Sequence, residues 1–565
     1  MSRRSHRVRR SEQVVYLRFF RSTQESSSTT RTLTATDRAL LLILTLYGAL
    51  ALLALALVPH YFLPAEDAVI LFQYSRNLAE HGAITFLAGG PHVEGATDFA
   101  WMVLIAAANR CGVLPYRFCA AANVVSLIAL AMAMVRIAGM RLSFSRVLAR
   151  VLAIAGAAAL FRQIFAAASG FAVLPDALLL TTLVLLVRER RAALASFTAF
   201  IFCLFRPDAV VIAVPLLLYL LFQRTEGTSR AKSSLAVFAL FLVPGVLYFL
   251  WRWHYFGELF PLPFLVKADF HRELGFLIAG SVRASLVPLL FTAVVLAPVA
   301  LLRKQADLWL AIPLIAVPTL FYWTMRLDQN VGSRFFYYLP VASAILIAVN
   351  WPALQRRRTL VFRTAAIAWL LLFAAPLYRE SLTFRSMQFS TVKSIAEQLG
   401  RMPRHGTILT TEAGFLPYYS GWATVDAWGL NTPEFAHRFF QVADVARIDA
   451  DLLVLHPDFG ESCIARPEQQ HNRYLNYPDR SWPHMTRNLI EGAKAAQYEL
   501  WLTSYGSEFY RNRKHWRPGE GDRECWLVRR DSPLRPGIEQ VLAQHGGIPP
   551  PQATLLEERR GSGAP

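Results

Sequence analysis

The chain has 565 residues, of which 54% are hydrophobic and 17% charged, and its mean hydropathy is +0.34. A soluble protein of this length would not carry so much apolar sequence in continuous runs, so the composition indicates an integral membrane protein. The net charge of +19 does not indicate nucleic-acid binding, because the arginines fall in short clusters between apolar runs, where they orient helices against a membrane.

Residues 1–37 are basic and are predicted to be cytoplasmic. The predicted fold is mainly α, a polytopic membrane helical bundle of about eleven spans over residues 38–378. The apolar runs that could cross the membrane, some of them as short helices of a bundle, lie at 38–60, 117–138, 146–168, 174–187, 192–205, 209–222, 233–251, 280–302, 307–324, 335–350 and 360–378.

A further apolar run at 99–112 leaves two topologies open, because about fourteen residues are more typical of an interfacial segment than of a span. If this run does not cross, every basic cluster from Arg136 to Arg358 lies in the cytoplasm, as the positive-inside rule requires. If it crosses, all of them lie outside. We therefore prefer the first topology, which places the first outer loop, 61–116, and everything after residue 378 on the extracytoplasmic face.

Residues 379–545 are less apolar and are predicted to form an extracytoplasmic α/β domain. The stretch "STVKSIAEQLG" has helical period, while "GTILTTEAG" and "ADLLVLHP" are typical of buried strands. Cys463 and Cys525 could pair if the domain lies in an oxidising compartment, and the sequence leaves this open. The tail, 546–565, is rich in Pro, Gly, Glu and Arg and is predicted to be disordered.

The first outer loop begins with two adjacent acids, Glu66 and Asp67, in the first turn of a helix predicted over 65–81. A helical projection gives one apolar and one polar arc, which predicts an amphipathic helix lying on the outer leaflet. Asp67 falls at the border with the apolar arc, whereas Glu66 falls in the polar arc and is expected to stay in water. The alternative is that both acids only interact favourably with the helix dipole.

Several other charged residues fall in segments that this topology places outside. Glu94 and Asp98 precede the short apolar run, and the alternatives are a divalent-cation site or an ordinary polar loop. Arg206 lies between apolar runs and either pairs with Asp208 or binds an anion. The remaining cations are Arg76, Lys267 and Arg334, which are either interfacial residues or, together, a phosphate clamp.

The segment "EDAVILFQYSRNLAEHGAITFLAGGPHVEGATDFAW" resembles the first outer loop of the GT-C membrane glycosyltransferases, especially the group of the mycobacterial terminal β-arabinofuranosyltransferase. Four later segments resemble that group in the same order: "RPD", "YFGELFPLPFLVK", "SRFFYYLP" and "EAGFLPYYSGWATVDAWGLN". The chain departs from the pattern in having Glu66 where relatives often have Asp, and Asp98 where they usually have Asn.

The resemblance implies transfer of a sugar from a polyprenyl-phosphate donor to an envelope glycan or lipid acceptor at the outer face of the bacterial plasma membrane. It implies that the acid of the first loop is the general base, which maps to Asp67 with Glu66 beside it. A carboxylate is a suitable base for an attacking hydroxyl, and cations stabilise a departing phosphate. We assign six residues to donor and substrate binding: Arg76, Glu94, Arg206, Tyr255, Lys267 and Arg334. The resemblance implies no particular cofactor and leaves open a divalent cation at Glu94 and Asp98.

Two other classes of protein are alternatives to a membrane glycosyltransferase. A polytopic transporter or flippase of lipid-linked envelope precursors would also carry charges near the membrane, but no second, matching half is visible in the sequence. A receptor or scaffold would leave the outer-face acids and cations unexplained. Nucleotide-binding and zinc-protease motifs are missing from the sequence, which favours a substrate presented by the membrane.

Overall fold

The computed structural model describes residues 35–138, 163–222, 230–267, 308–325, 331–350, 390–456, 463–464, 482–504 and 523–561, with single positions between 282 and 300. Contacts divide the chain into two units, Met1–Ile43 and Leu44–Pro565. Within the first unit the structure describes residues 35–43, which begin the first helix. All the other described residues belong to the second unit.

The part before residue 351 is helical in the segments that the structure describes. Helices are numbered along these segments, and the long helix α9 contains a π-helical turn at Phe238–Leu242. The helices are α1 Ala35–Tyr61, α2 Glu66–His81, α3 Phe99–Arg110, α4 Pro115–Ile137, α5 Gln163–Ala168, α6 Val173–Arg188, α7 Ala192–Phe205, α8 Val210–Phe222, α9 Arg230–Phe256, α10 Leu262–Lys267, α11 Ile312–Tyr322 and α12 Tyr338–Val349, with 3-10 turns at Pro207–Ala209 and Val331–Phe336.

Among the described residues, two helices are long and apolar enough to cross a membrane alone, α4 and α9. A third candidate is the pair Gly48–Tyr61 and Glu66–His81, which is bent by 70°. Other apolar helices are shorter, such as the twelve residues of α3, and at 1.5 Å per residue they fall short of a hydrocarbon core of about 30 Å. The expected count of eleven spans is therefore not confirmed. The predicted span at 360–378 lies outside the described residues.

Helix α2 begins and ends where local sequence predicts. Pro64 lies just before it, its first turn carries both acids, and Gly82 ends it with a left-handed φ of 70°. The Gly82 N–H donates to the Leu78 carbonyl at 3.1 Å, which satisfies one of the last carbonyls of the helix. The helix therefore presents Glu66 and Asp67 at its N-terminal end as a fixed pair.

The helices that carry the site are held together partly by one buried amide, Asn123 of α4. Its Nδ2 donates to the Phe171 carbonyl at 3.0 Å, and its Oδ1 accepts from the Leu174 N–H at 3.4 Å. Both partners lie at the start of α6, where backbone groups would otherwise be unsatisfied. This contact positions the ring of Phe171, on which a site arginine rests.

The C-terminal domain is a mixed five-stranded sheet with helices on both faces. The strands are β1 Thr407–Thr410, β2 Ala423–Asp426, β3 Leu452–Leu455, β4 Tyr498–Ser504 and β5 Arg523–Arg529. Their order is β2-β1-β3-β5-β4, with β1 parallel to β2 and β3, and β5 antiparallel to β3 and β4. The strands predicted from "GTILTTEAG" and "ADLLVLHP" are thus present as β1 and β3.

The helices of this domain cover alternate residues of the central strands. Ile408 and Leu452 face one core cluster, and Leu409 and Leu453 face the other. This alternation is what a strand pattern with period two predicts. The helices are α13 Thr391–Leu399, α14 Phe415–Ser420, α15 Pro433–His437, α16 Val442–Ile448, α17 Trp482–Ala495, α18 Arg535–Gln544 and α19 Gln552–Gly561.

Residues 546–561 of the tail are described by the structure and include helix α19, whereas the composition of 546–565 predicts disorder. Helix α19 packs against β4, Ala553 is fully buried, and the Glu557 carboxylate accepts the Cys463 N–H at 3.0 Å. Composition does not predict this helix, because the three prolines before it are typical of a linker. The strand that the helix packs against, β4, lies about 50 residues earlier in the sequence.

Cys463 and Cys525 form a disulfide with a Cα separation of 5.8 Å, which resolves the alternative left open by the sequence. The other cysteines, Cys111, Cys119 and Cys203, are free. Disulfides persist in oxidising compartments, so this bond agrees with an extracytoplasmic C-terminal domain.

The disulfide closes a separation of 62 residues, and replacing Cys463 by Ser is expected to lower the free energy of unfolding of the C-terminal domain by about 2–4 kcal/mol, chiefly by freeing the unfolded chain. Thermal unfolding of the full chain in detergent, with and without reductant, measures this. Cys111→Ser, which removes an exposed free thiol, is the control. Equal melting temperatures for the Cys463 and Cys111 variants would contradict the prediction.

Candidate functional site

A cavity of about 710 Å³ joins the polar segments that the sequence placed on the outer face. It is enclosed by the start of α2, the loop before α3, the turn between α7 and α8, helices α9 and α10, and the 3-10 turn at 331–336. Its charged lining residues are Asp67, Glu94, Asp98, Arg206, Asp208, Arg252, Lys267 and Arg334. Six of the nine candidate residues from the sequence are therefore brought together.

The cavity continues from this charged region along apolar side chains of two helices. On α9 the lining residues run from Phe241 through Gly245 and Phe249 to Arg252, a length of about 16 Å at 1.5 Å per residue. On α7 they run from Phe200 and Leu204 toward Arg206. In both helices the apolar positions precede the charged one, so the cavity has an apolar end and a charged end.

Asp67 and Arg334 form an ion pair at the charged end. The Arg334 Nη2 donates to the Asp67 Oδ2 at 2.7 Å, and both side chains are largely buried. The guanidinium lies over the Phe171 ring, 4.2 Å from its centroid. Its Nη1 is buried and has no hydrogen-bond partner in the part of the chain that the structure describes. One donor of this arginine is thus left to an additional acceptor.

Three cations surround the ring of Phe335. The centroid of the ring lies 5.0 Å from the Arg334 guanidinium carbon, 5.1 Å from the Lys267 Nζ and 5.9 Å from the Arg206 guanidinium carbon. Such contacts hold cations over an aromatic face while leaving their donors directed elsewhere. Two of the three cations proposed from the sequence as a phosphate clamp, Lys267 and Arg334, therefore converge, and Arg206 joins them.

Arg206 is paired with Asp208, one of the two alternatives drawn from the sequence, and it also lines the cavity. Its Nε and Nη2 donate to the two carboxylate oxygens of Asp208 at 3.0 and 2.9 Å. Tyr322 also donates to Asp208, and the Asp176 carboxylate lies 3.8 Å from the Arg206 Nη1. A fork of this kind fixes the plane of the guanidinium, so Arg206 has a defined orientation at the cavity wall.

Glu94 pairs with Arg252, a residue that the sequence reasoning missed. The Arg252 Nε donates to the Glu94 Oε2 at 2.6 Å, and its other nitrogens donate to the carbonyls of Glu258 and Leu259. Burial raises the pKa of Glu94 to about 7, although Arg252 acts against this shift. The available signal was a single arginine inside the long apolar run of α9, where a charge is costly unless it has a partner.

Asp98 differs from the other acids of the cavity. It precedes the first residue of α3, and its Oδ1 is 3.4 Å from the Thr97 hydroxyl. In the described segments it has no ion-pair partner within 4.0 Å, whereas Asp67, Glu94 and Asp208 each have one. Burial raises the pKa of Asp98, with Arg206 and Arg334 acting in the opposite direction.

The two acids considered for a divalent cation do not form such a site. Glu94 is occupied by Arg252, and the described residues contain no group of three or more His, Cys, Asp or Glu side chains placed to hold a metal ion. Hard cations need several oxygen ligands, which the pair Glu94 and Asp98 does not supply here.

Arg76 and Tyr255 lie outside the cavity lining, contrary to their assignment from the sequence. Arg76 donates to the Tyr418 carbonyl at 2.7 Å and lies over the Tyr418 ring. The Tyr255 hydroxyl accepts the Ile84 N–H at 3.0 Å, and its ring stacks on His92. Both residues therefore hold the first outer loop in place.

The prediction that Glu66 stays in water is wrong. Its Oε1 accepts the backbone N–H groups of Gly414 and Phe415, both at 2.8 Å, and its Oε2 is buried without a partner among the described residues. Protein covers part of the polar arc of α2, since Gln73 and Asn77 donate to backbone carbonyls of Thr85 and Phe86. Glu80, at the other end of the helix, is exposed, so only part of the polar face is in water.

Glu66 belongs to a group of buried acids where α2 meets the C-terminal domain. Glu412 follows β1, His456 follows β3, and Glu524 lies in β5. The His456 Nδ1 is 3.1 Å from the Glu524 Oε2. Burial raises the pKa of Glu412 and of Glu524, and for Glu412 the nearby carboxylates of Glu524 and Glu66 raise it further. Burial of these carboxyls close together therefore favours their protonated forms.

Glu524→Gln is expected to make the free energy of unfolding less dependent on pH. A carboxyl whose pKa is raised by folding stabilises the fold fully below about pH 4.5, its unfolded value, and this contribution is lost as pH rises through the folded value. The wild type should therefore lose stability relative to the variant as the pH rises above about 4.5. Denaturant unfolding of the full chain at several pH values measures the difference.

Glu491→Gln, at an exposed ion pair on α17, is the matched control and should show no such trend. A stability difference between Glu524→Gln and wild type that is constant with pH would contradict the prediction.

Comparisons with known proteins add little to this geometry. Residues 379–524 match a family model described as Domain of unknown function (DUF8728), which covers only the C-terminal domain. No curated protein matches the chain by sequence. Among solved structures, the chain is similar to the apo oligosaccharyltransferase of Archaeoglobus fulgidus, with 10% identity over 83% of this chain and 74% of that chain and a TM-score of 0.46. So low a score carries no argument about function.

Proposed function

We propose that the protein is an inverting glycosyltransferase that moves a sugar, such as a pentofuranose, from a polyprenyl-phosphate donor to an envelope glycan or lipid acceptor at the outer face of a bacterial plasma membrane. One observation carries the proposal. The cavity has an apolar end along α7 and α9 and three cations around Phe335 at its charged end.

A polyprenyl phosphate has the same division into an apolar chain and an anionic head. The cavity supports a pose in which the prenyl chain lies along Phe241, Gly245 and Phe249, where α9 exposes apolar side chains. The phosphate then lies at Arg334, whose free Nη1 supplies a hydrogen bond, with Lys267 nearby. Charge-assisted bonds from arginine suit phosphate oxygens better than neutral donors do.

The proposed base is Asp67. In the structure its carboxylate is held by Arg334. A donor phosphate bound by Arg334 competes for the same guanidinium and weakens this pair, so the carboxylate becomes available to the acceptor hydroxyl when the donor arrives. Glu66 acts one residue away by fixing the start of α2 on the backbone of Gly414 and Phe415.

The reaction is a single displacement. The acceptor hydroxyl oxygen forms a bond to the anomeric carbon while the bond from that carbon to the phosphate oxygen breaks. Asp67 takes the hydroxyl proton, and the polyprenyl phosphate leaves with the bonding electron pair, stabilised by Arg334 and Lys267. Attack opposite the leaving group inverts the anomeric centre, and no covalent enzyme intermediate forms.

Asp67→Asn is expected to lower the transfer rate about 100-fold or more, because the amide cannot accept the proton. Glu66→Gln should be milder, since the amide oxygen still accepts an N–H from the backbone. The measurement is complementation of a deletion strain: linkage analysis of its envelope glycans identifies the missing sugar and acceptor, and each variant is scored by the product restored.

Membrane level and melting temperature must match wild type for a loss to count. Asp449→Asn, at a carboxylate that is largely exposed in the C-terminal domain, serves as the matched control and should restore the product fully. Full restoration by Asp67→Asn, or a deletion strain with unchanged glycans, would refute the proposed function.

A further inference from the structure

Four acids line the cavity, and Asp98 is the one that has no cation within 4.0 Å among the described residues. Each of the other three acids in the lining has one close partner: Arg334 for Asp67, Arg252 for Glu94 and Arg206 for Asp208. A half-buried carboxyl whose described hydrogen bond is one long contact from the Thr97 hydroxyl, at 3.4 Å, regains little of the solvation that it loses. Such a group at the wall of a binding cavity is satisfied when a ligand supplies the missing hydrogen-bond donor.

We propose that Asp98 accepts a hydrogen bond from a hydroxyl group of the sugar being transferred and thereby selects which sugar the enzyme accepts. This inference rests on the proposed glycosyl transfer, but it concerns a different residue and a different step. Asp67 acts on the acceptor hydroxyl, whereas Asp98 binds the donor before any bond changes.

The position of Asp98 next to the cation group supports the proposal. Asp98 lines the same cavity as Arg206 and Arg334, two of the cations grouped around Phe335, and the charges of both arginines and of Asp208 act on it. The sugar is bonded directly to the phosphate of the donor. A phosphate held by these cations therefore brings the sugar hydroxyls within reach of the neighbouring carboxyl.

The loop that carries Asp98 is held at both ends, so the Asp98 carboxyl has the fixed position that selection between sugars requires. The Gly95 N–H donates to the Tyr74 hydroxyl at 3.1 Å, and that hydroxyl donates to the Asn431 Oδ1 at 3.0 Å. At the other end of the loop, α3 begins directly after Asp98. A fixed acceptor discriminates by geometry, because it bonds only a hydroxyl that the sugar presents in the right direction.

The expected discrimination is large. A site built to bond a substrate hydroxyl rejects an analogue without it by about 10⁴-fold or more when the site group is left buried and unpaired. The contact with Asp98 is partly open to the cavity, so we expect about 10-fold to 100-fold in affinity, as for one charge-assisted hydrogen bond of about 1.5–3 kcal/mol.

The test uses the full chain in detergent and three kinds of probe: farnesyl phosphate, farnesyl-phosphoryl pentofuranoses, and the same donors with one hydroxyl removed in turn. Wild type is expected to bind at least one pentofuranosyl donor about 10-fold or more tighter than farnesyl phosphate, and to lose this gain when one particular hydroxyl is removed. Asp98→Ala should bind farnesyl phosphate as wild type does and lose the gain from the sugar. Asp98→Asn should lose part of it.

Glu80→Gln, at an exposed position of α2, is the control and should keep the wild-type ranking of probes. A wild-type ranking in Asp98→Ala would overturn the inference and leave the proposed function intact. If Asp98→Ala lost as much affinity for farnesyl phosphate as for the sugar-bearing donors, the inference would also be overturned, since Asp98 would then support the cavity as a whole. Failure of wild type to bind farnesyl phosphate would overturn the proposed function itself.

Discussion

The ion pair between Asp67 and Arg334 closes the candidate site, and the other parts of the site are arranged around it. It joins the first turn of α2 to a 3-10 turn 267 residues later in the chain. Removing two charges from water costs several kcal/mol per ion, and their attraction repays this cost only with good geometry. Here the cost is offset by the ring of Phe171 beneath the guanidinium. Since one arginine nitrogen remains unsatisfied, stability alone does not explain the pair.

The close contact between the first outer loop and the C-terminal domain depends on two glycines in the motifs. A Cβ added to Gly414 would lie 2.2 Å from the Glu66 carbonyl oxygen, and one added to Gly95 would lie 2.7 Å from the Leu430 carbonyl oxygen. Neither separation is sterically possible, so only glycine lets these backbones approach. The C-terminal domain is consequently part of the site, and Leu430 from that domain lines the cavity.

The sequence was sufficient for features set by local chemistry. The ends of α2, the strands β1 and β3, and six residues of the cavity lining follow from caps, periodicity and motif resemblance. It failed where the answer depended on a distant partner: a helical projection cannot distinguish water from a covering protein surface, so Glu66 was misplaced. Arg252 was missed because its partner, Glu94, lies 158 residues earlier. The count of spans also exceeded what the described helices support, since apolar runs do not reveal helix length.

The balance of charge in the cavity has a consequence for the order of binding. Four acids and four cations line it, and three of each form ion pairs, so a phosphate that takes up more than the spare donor of Arg334 competes with an existing pair. Of the three described pairs, Arg206 holds Asp208 through two bonds, and Arg252 is fixed by two carbonyls as well as Glu94. Arg334 makes one bond to Asp67 and has a spare donor. It is therefore the pair that yields most easily, and its opening frees the carboxylate proposed as base. In the proposed mechanism the donor must bind first, because an acceptor that arrives earlier meets an Asp67 still held by Arg334.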